Sequence, residues 1–187
     1  MEKSYTIKIA GCRRDLPLCK VSDELYIAAF IMFGDVEITR ACAAALLERA
    51  PECDIMITAE SKGIPLLYEM ARQAGMNNYI VARKGPKLYM TNPIYTEVNS
   101  ITTEDRQILC IGEEEANAMK GKRVLVIDDV ISTGESLAAL EQLIDRVGGN
   151  IVGKMAVLAE GDAIGREDIT CLAPLPLFDA QGHPLSH

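Results

Sequence analysis

This chain of 187 residues has few positively charged residues relative to its acidic ones. Lys and Arg together number 19, against 27 Asp and Glu, which gives a formal net charge of −8. Proteins that bind nucleic acid or anionic membrane surfaces need an excess of Lys and Arg to meet the phosphate groups. The deficit therefore argues against both kinds of partner, and any phosphate site must depend on a few locally placed residues.

Metal and disulfide motifs are missing as well. The six cysteines stand singly, with no CxxC pair and no Cys/His cluster, so neither a zinc site nor a disulfide framework is indicated. The N-terminal residues lack the apolar core of a signal peptide, and the apolar run at residues 25–33 is too short to span a bilayer. Together with cysteines that are expected to be reduced thiols, these absences predict a cytoplasmic protein without membrane contact.

The common nucleotide-binding motifs are absent too. No Gly-rich turn is followed by Gly-Lys-Ser or Gly-Lys-Thr, and the pattern GxGxxG does not occur anywhere in the chain. A P-loop nucleoside triphosphatase and a dinucleotide-dependent oxidoreductase are therefore poorly supported.

Short apolar strands alternate with helices along most of the chain. Because strands that are apolar on both faces and separated by helices form parallel sheets, the pattern predicts an α/β fold with a mainly parallel central sheet flanked by helices. We expect a single domain whose core covers about residues 35–164, with Asp35 capping the first helix of that core. Strands are predicted around 4–9, 53–61, 77–87, 123–129 and 151–160, helices around 35–50, 63–75 and 135–149, and a strand with a short acidic helix within 105–122.

Three segments fall outside this alternation. Residues 88–99 have no clear period and contain an Asn-Pro turn signal. The two ends of the chain, about residues 1–30 and 165–187, are expected to form a small accessory lobe, or hood, beside the core.

The most unusual stretch is RVLVIDDVISTGES, residues 123–136. A run of branched apolar residues, typical of a buried strand, leads into Asp128 and Asp129, and a turn rich in hydroxyl groups precedes a helix. Ligands of parallel sheets collect beyond the carboxyl ends of the strands, and the free N–H groups of a helix N-terminus bind anions. The stretch thus offers carboxylates for sugar hydroxyls next to donors for a phosphate. Ordinary turn chemistry and helix capping would explain the acid pair and the hydroxyl residues equally well when each is taken alone.

This stretch resembles the phosphoribosyl diphosphate (PRPP) binding motif of the type I phosphoribosyltransferases. The motif consists of an apolar strand, two acidic residues, two apolar residues, a small residue, Thr-Gly, a variable residue and Ser or Thr, and VLVIDDVISTGES meets each element. The resemblance implies that Asp128 and Asp129 are the catalytic pair and hold the ribose hydroxyls. It also implies that the 5′-phosphate is wrapped by Ser132, Thr133, Gly134, Glu135 and Ser136, with Glu135 in the variable position.

Two further segments are similar to those of adenine-type members of the family. ESKG, residues 60–63, resembles their Glu-Ser-Arg-Gly loop with a lysine in place of arginine, and ARKGPKL, residues 82–88, resembles their RKxGKLP segment. The resemblance implies a homodimer in which a basic residue reaches the diphosphate across the interface. A surface lysine and a solvated basic turn are the alternative explanations. The implied diphosphate-binding residues are Ser61, Lys62, Gly63, Arg83, Lys84 and Lys87.

Residues 88–103 occupy the position of the family's flexible loop, which closes over the bound substrates and excludes water. IYTEV resembles the Tyr-x-x-Glu-Tyr signature of that loop, which makes Tyr95 and Glu97 candidates for contact with the base or the ribose. An ordinary exposed glutamate is the alternative for Glu97. The resemblance also implies Mg²⁺ as a cofactor that binds together with PRPP, within reach of Asp128 and Asp129.

The resemblance covers about residues 60–160 and implies a pentosyltransferase of purine salvage. Such an enzyme transfers the 5-phosphoribosyl group from PRPP to a purine base, here adenine in the first instance, and releases diphosphate. Two alternatives remain open: a non-catalytic protein that senses PRPP or a nucleoside monophosphate on the same fold, and a transferase for an unusual acceptor. The lysine at position 62, the glutamate at position 135 and the altered loop signature favour the sensor.

Overall fold

A computed structural model describes residues 4–99 and 106–185 of the chain. Five parallel strands form its central sheet, which confirms the predicted α/β fold. The strands are, in chain order, β1 (Ser4–Ile9), β2 (Cys12–Lys20), β3 (Tyr26–Ala28), β4 (Ile55–Ala59), β5 (Ile80–Ala82), β6 (Ile94–Asn99), β7 (Arg106–Ile111), β8 (Arg123–Ile131), β9 (Asn150–Glu160) and β10 (Thr170–Leu175). The order across the central sheet is β10-β9-β8-β4-β5, so β8 lies in the middle.

Two helices cover each face of this sheet. Successive residues of a strand point to opposite faces, and the buried residues of β8 divide accordingly. Leu125 and Ile127 belong to the apolar cluster formed with α1 (Val36–Leu47) and α2 (Ile64–Gln73). Val124 and Val126 belong to a second cluster on the other face, formed with α3 (Glu113–Met119) and α4 (Glu135–Val147). The central strands are therefore buried on both sides, as their apolar composition predicts.

The four predicted helices are present. Asp35 caps α1 as expected, because its Oδ1 accepts a hydrogen bond from the backbone N–H of Ile38 at 3.1 Å. Gly75 closes the turn after α2 with a φ of 70°, a left-handed conformation that favours glycine. None of the described helices has the length and apolar character that crossing a membrane requires.

The two ends of the chain meet beside the core. β1, β2 and β3 form an antiparallel sheet of three strands, of which only the first was predicted. Tyr26 of β3 and Phe178 exchange two backbone hydrogen bonds, each of 2.9 Å. The Phe178 ring also lies 5.0 Å from that of Tyr5, so the C-terminal segment packs on the N-terminal sheet.

Residues 88–99, whose sequence has no clear period, contain strand β6 in their second half. β6 pairs antiparallel with β7 over its whole length. This two-stranded ribbon, β6 and β7, is hydrogen-bonded to α4. The Thr96 hydroxyl donates to the carbonyl of Ala139 at 3.2 Å, and Arg146 Nη1 donates to the carbonyl of Tyr95 at 2.6 Å. The helix residue that Thr96 contacts lies 43 positions further along the chain, so the local pattern of this segment does not reveal that contact. The remainder of the proposed flexible loop, residues 100–103, lies outside the described residues.

Candidate active site

The acid pair lies near the carboxyl end of the central strand. β8 continues two residues past the acids to Ile131, so Asp128 is still part of the ladder and pairs with Ala156 of β9. Asp129 is only 2% exposed, and its Oδ2 has no hydrogen-bond partner among the described residues. The Lys62 ammonium lies 3.7 Å from this oxygen. A buried carboxylate oxygen without a hydrogen bond costs free energy, which a ligand with hydroxyl donors would recover.

The environment of Asp128 shifts the pKa of its carboxyl group. Burial, and then the charge of Asp129, raise the pKa of Asp128 far above its ordinary value, while the nearby Lys62 opposes this rise. One backbone bond favours the ionised form, because the N–H of Asp129 donates to Asp128 Oδ1 at 2.8 Å. The strand thus holds two acids in a setting that a cation or several hydrogen-bond donors would stabilise.

The hydroxyl-rich turn lies directly beyond the acids. Gly134 has a φ of 81° and precedes α4, whose first residue is Glu135, so the predicted strand, turn and helix are all present. Residues 130–137 line a small cavity of about 50 Å³ together with Asp128. The five residues predicted to wrap a phosphate, Ser132 to Ser136, are all among those that line it.

The loop of residues 60–63, which we call the first loop, follows β4 and approaches the neighbouring strand β8. A Cβ atom added to Gly63 would lie 2.4 Å from Thr58 Oγ1 and 3.3 Å from Asp128 Oδ1, so only glycine fits this approach. The peptide bond between Glu60 and Ser61 is cis. A cleft of about 370 Å³ joins this loop to the acid pair and the hydroxyl turn. It is lined by Ala59, Glu60, Ser61, Lys62, Lys84, Asp128, Asp129, Val130, Ser132 and Ser136.

The basic turn after β5 joins the cleft only in part. Lys84 lines it, whereas Arg83 and Lys87 are not among the lining residues. Arg83 Nη2 instead lies 3.4 Å from Glu60 Oε1, and the N–H of Lys84 donates to Glu60 Oε2 at 3.1 Å. This bond, followed by the charges of the three basic residues, lowers the pKa of Glu60 despite its partial burial. Glu60 therefore connects the first loop to the basic turn.

Tyr95 and Glu97, the two loop candidates, belong to β6 of the ribbon. Tyr95 is 37% exposed, and its carbonyl is bonded to Arg146. Glu97 pairs with Ile108 of β7 in the backbone register. Tyr95 is not among the residues that line the cleft.

Two charged residues at this edge of the sheet were missed by the sequence analysis. Glu160 ends β9, the strand next to the acid pair, and burial raises the pKa of its carboxyl while Lys62 opposes this shift. The rule that ligands collect at strand ends could have identified it. Arg166 lies against Gly134 of the hydroxyl turn, since a Cβ at Gly134 would be 2.7 Å from Arg166 Nη1. No local pattern indicates that contact.

The described residues contain no group of three or more His, Cys, Asp or Glu side chains that could hold a metal ion. Mg²⁺ is commonly bound by one or two carboxylates together with substrate phosphates, and it keeps several waters. Asp128 and the unpartnered oxygen of Asp129 fit that form of binding.

Known proteins are similar to this chain in sequence and in fold. Residues 37–174 match the model of the family described as "Phosphoribosyl transferase domain". The adenine phosphoribosyltransferase of Rhodococcus jostii (strain RHA1) is 30% identical over 138 residues, which are 73% of this chain and 74% of that protein. That of Mycobacterium tuberculosis (strain CDC 1551 / Oshkosh) is 32% identical over 149 residues, 78% of this chain, and the chain spans only 65% of that protein's length.

Solved structures agree on the fold. The crystal structure of adenine phosphoribosyltransferase from Rhodothermus marinus DSM 4252 superposes with a TM-score of 0.65 at 21% identity, covering 92% of this chain and 94% of that one. The enzyme from Trypanosoma brucei, solved in complex with AMP, pyrophosphate and ribose-5-phosphate, gives a TM-score of 0.60 at 18% identity, covering 76% and 67%. Since the family model covers well over half of the sequence, the chain belongs to the phosphoribosyl transferase domain family.

Proposed function

We propose that this protein transfers the 5-phosphoribosyl group of PRPP to a purine base, with adenine as the first candidate, and releases diphosphate. The observation that carries the proposal is the meeting, at one cleft, of an acid pair, a hydroxyl-lined turn and two lysines. A sugar phosphate needs carboxylates for its hydroxyls and N–H or O–H donors for its phosphate. The names of the relatives support adenine as the acceptor.

Asp128 and Asp129 would accept hydrogen bonds from the ribose hydroxyls. Asp129 Oδ2, which is buried and has no hydrogen bond to any described residue, is the oxygen that gains most from a hydroxyl donor. Positive charge develops on the ribose as the bond to diphosphate breaks, and the nearby carboxylates stabilise it. A purine nitrogen then forms the new bond at the anomeric carbon. The chain's residues act by positioning and electrostatics and need no nucleophilic side chain.

The 5′-phosphate would occupy the small cavity of the hydroxyl turn. Suitable donors are the backbone N–H groups of residues 132–134, the Thr133 hydroxyl and the N-terminus of α4. This placement fixes one end of the substrate, so that its anomeric carbon faces the cleft.

Diphosphate would bind on the opposite side of the cleft. Lys62 and Lys84 line it and would neutralise the leaving group, with the backbone of Ser61 and Gly63 beside them. Arg83 and Lys87 would act at its margin. Bound with PRPP, Mg²⁺ would neutralise further diphosphate charge, and Asp128 and Asp129 are the residues that would hold it.

Several features of the family are carried over as parts of the same proposal. The protein is proposed to work in the cytoplasm as a homodimer. The two chain ends would form the hood over about residues 1–30 and 165–187, and residues 88–103 would close over the substrates with Tyr95 and Glu97.

One observation favours a second function, a PRPP or nucleotide sensor on the same fold. Arg83 and Lys87 do not line the cleft, and Arg83 is occupied by Glu60. A site with fewer cations at the diphosphate could bind the substrate without promoting departure of diphosphate.

Diphosphate release separates these functions. PRPP and Mg²⁺ are incubated with adenine, guanine, hypoxanthine, xanthine, uracil or orotate, and PRPP binding is measured in parallel by calorimetry. Release with one base supports the transferase and identifies its acceptor. PRPP binding without release favours the sensor or an unusual acceptor, and absence of PRPP binding overturns both functions.

A further inference from the structure

Arg166 contacts the hydroxyl turn from a distant part of the chain. It lies between β9 and β10, and its guanidinium is so close to Gly134 that a Cβ there would be 2.7 Å from Nη1. The next atom within 4 Å of that Cβ position is Arg166 Cζ, at 4.0 Å. The Nη1 end of the side chain is therefore the part that faces the turn, and it does so at Gly134 rather than as one of the residues that line the small cavity.

The rest of the guanidinium is held in place by a carboxylate. Arg166 Nε and Nη2 donate to the two oxygens of Asp168 at 2.9 and 2.7 Å. Asp168 also accepts from Lys154 Nζ at 2.6 Å, and Lys154 donates to Glu141 of α4 at 2.7 Å. Because this chain of ion pairs ends on α4, the guanidinium and the helix that follows the turn are oriented together. A fork held in this way loses little entropy when its last nitrogen gains a ligand.

Nη1 of Arg166 is the nitrogen of this guanidinium whose N–H groups are available as donors. It makes no hydrogen bond among the described residues, whereas Nε and Nη2 are both used. The Asp168 hydrogen bonds raise the pKa of Arg166, so the group stays charged. The charges of Arg166, Lys154, Asp168 and Glu141 cancel, and what remains is a directed donor rather than a broad positive field.

We infer that Arg166 is a binding residue for the 5′-phosphate, with Nη1 donating a charge-assisted hydrogen bond to a phosphate oxygen beside Gly134. The inference rests on the proposed function, since it concerns the same phosphate subsite. The hydroxyl and backbone N–H groups of the turn are neutral donors. A guanidinium from the β9–β10 connection adds a charged donor beside them in a chain with a net charge of −8.

The test is calorimetric binding of two separate probes, ribose 5-phosphate and diphosphate, to the full chain. Arg166→Gln should weaken binding of ribose 5-phosphate about tenfold or more, the effect of losing one hydrogen bond to a charged group. Diphosphate affinity should stay within about twofold of the parent, because its subsite lies across the cleft. Arg166→Lys keeps a cation without the fork and should recover part of the lost affinity.

Arg123→Gln is the matched control. Arg123 also forms a two-point pair with an aspartate, Asp54, but at the opposite end of β8. This variant loses an equivalent ion pair and should bind both probes like the parent. A merely structural role for Arg166 would weaken both probes equally and would not be rescued by lysine, and that result overturns the inference.

The two proposals fail in different ways. If the parent binds neither ribose 5-phosphate nor PRPP, the proposed function is wrong. If the parent binds both and Arg166→Gln binds ribose 5-phosphate with unchanged affinity, only the role of Arg166 is wrong. Thermal unfolding of each variant verifies that it is folded, and Arg166→Lys decides the question if Arg166→Gln does not fold.

Discussion

The two ends of strand β8 hold charged residues in opposite ways. At the amino end, Arg123 lies 2.8 Å from Glu52 and 2.9 Å from Asp54, and its backbone N–H also donates to Asp54. At the carboxyl end, Asp128 and Asp129 are adjacent acids with one lysine 3.7 Å away. The charges at the amino end are paired with one another, whereas at the carboxyl end a buried oxygen of Asp129 has no hydrogen bond within residues 4–99 and 106–185.

The pKa shifts record the same difference. Hydrogen bonds from Arg123 lower the pKa of Asp54 to about 2. Burial and a neighbouring acid raise the pKa of Asp128 instead. The ionised form of Asp54 at the amino end therefore favours the folded chain, and the ionised form of Asp128 at the carboxyl end opposes it. A group that costs stability in the free protein is one that a ligand can stabilise, which supports the proposal that the ligand binds at the carboxyl end.

Removing both acids should have the largest effect. Asp128→Asn combined with Asp129→Asn should weaken PRPP binding more than about 100-fold, because several hydrogen bonds to charged acceptors are lost. The matched control, Glu52→Gln with Asp54→Asn at the amino end, should leave affinity unchanged. Calorimetry measures both, and equal PRPP affinity in the acid-pair variant and the parent would remove the basis of the proposed site.

Removing one hydroxyl from the turn should have a smaller effect. Thr133→Ala deletes a single neutral donor and should weaken ribose 5-phosphate binding about 3- to 10-fold. The exposed position of Thr133 makes a loss of folding unexpected. Calorimetry with ribose 5-phosphate measures the change, and unchanged affinity would argue against the placement of the phosphate.

The acids at the two ends of β8 should change the free energy of unfolding with pH in opposite directions. The raised pKa of Asp128 contributes stability that is present below its unfolded pKa of about 4 and is lost as pH rises through the folded pKa. The lowered pKa of Asp54 contributes stability above pH 4, which is lost as pH falls toward 2. Urea unfolding across pH should show both limbs. Asp128→Asn should flatten only the upper limb, and an unchanged upper limb would contradict the pKa shift.

Breaking the amino-end pair should have the smallest effect. Arg123 is about half exposed, and solvent-exposed ion pairs contribute little to stability. Arg123→Gln should lower the thermal unfolding temperature slightly and leave diphosphate release unchanged. A large loss of diphosphate release in this variant would show that the two ends of β8 are coupled, which would contradict their separate roles.

The sequence predicted best those elements whose contacts are local. The cap at Asp35, the turn at Gly134 and the buried run of β8 each depend on residues within one strand, turn or helix, so their patterns are complete in themselves. β6 depends on pairing with β7. It also depends on two hydrogen bonds with α4, one donated by Thr96 and the other donated by Arg146 of the helix. Such contacts leave no periodic pattern, and this strand was missed.

The composition of the site shows the same division. The sequence by itself determined that two acids, a hydroxyl turn and a helix start follow one another, because these parts are contiguous. Only the tertiary structure decided that Lys62 faces Asp129, that Glu160 ends the neighbouring strand, and that Arg166 reaches Gly134. Lys62 follows β4, whereas Glu160 and Arg166 come from the end of β9 and from the β9–β10 connection. Strand order and register, which a single stretch of sequence does not encode, bring them to one edge of the sheet.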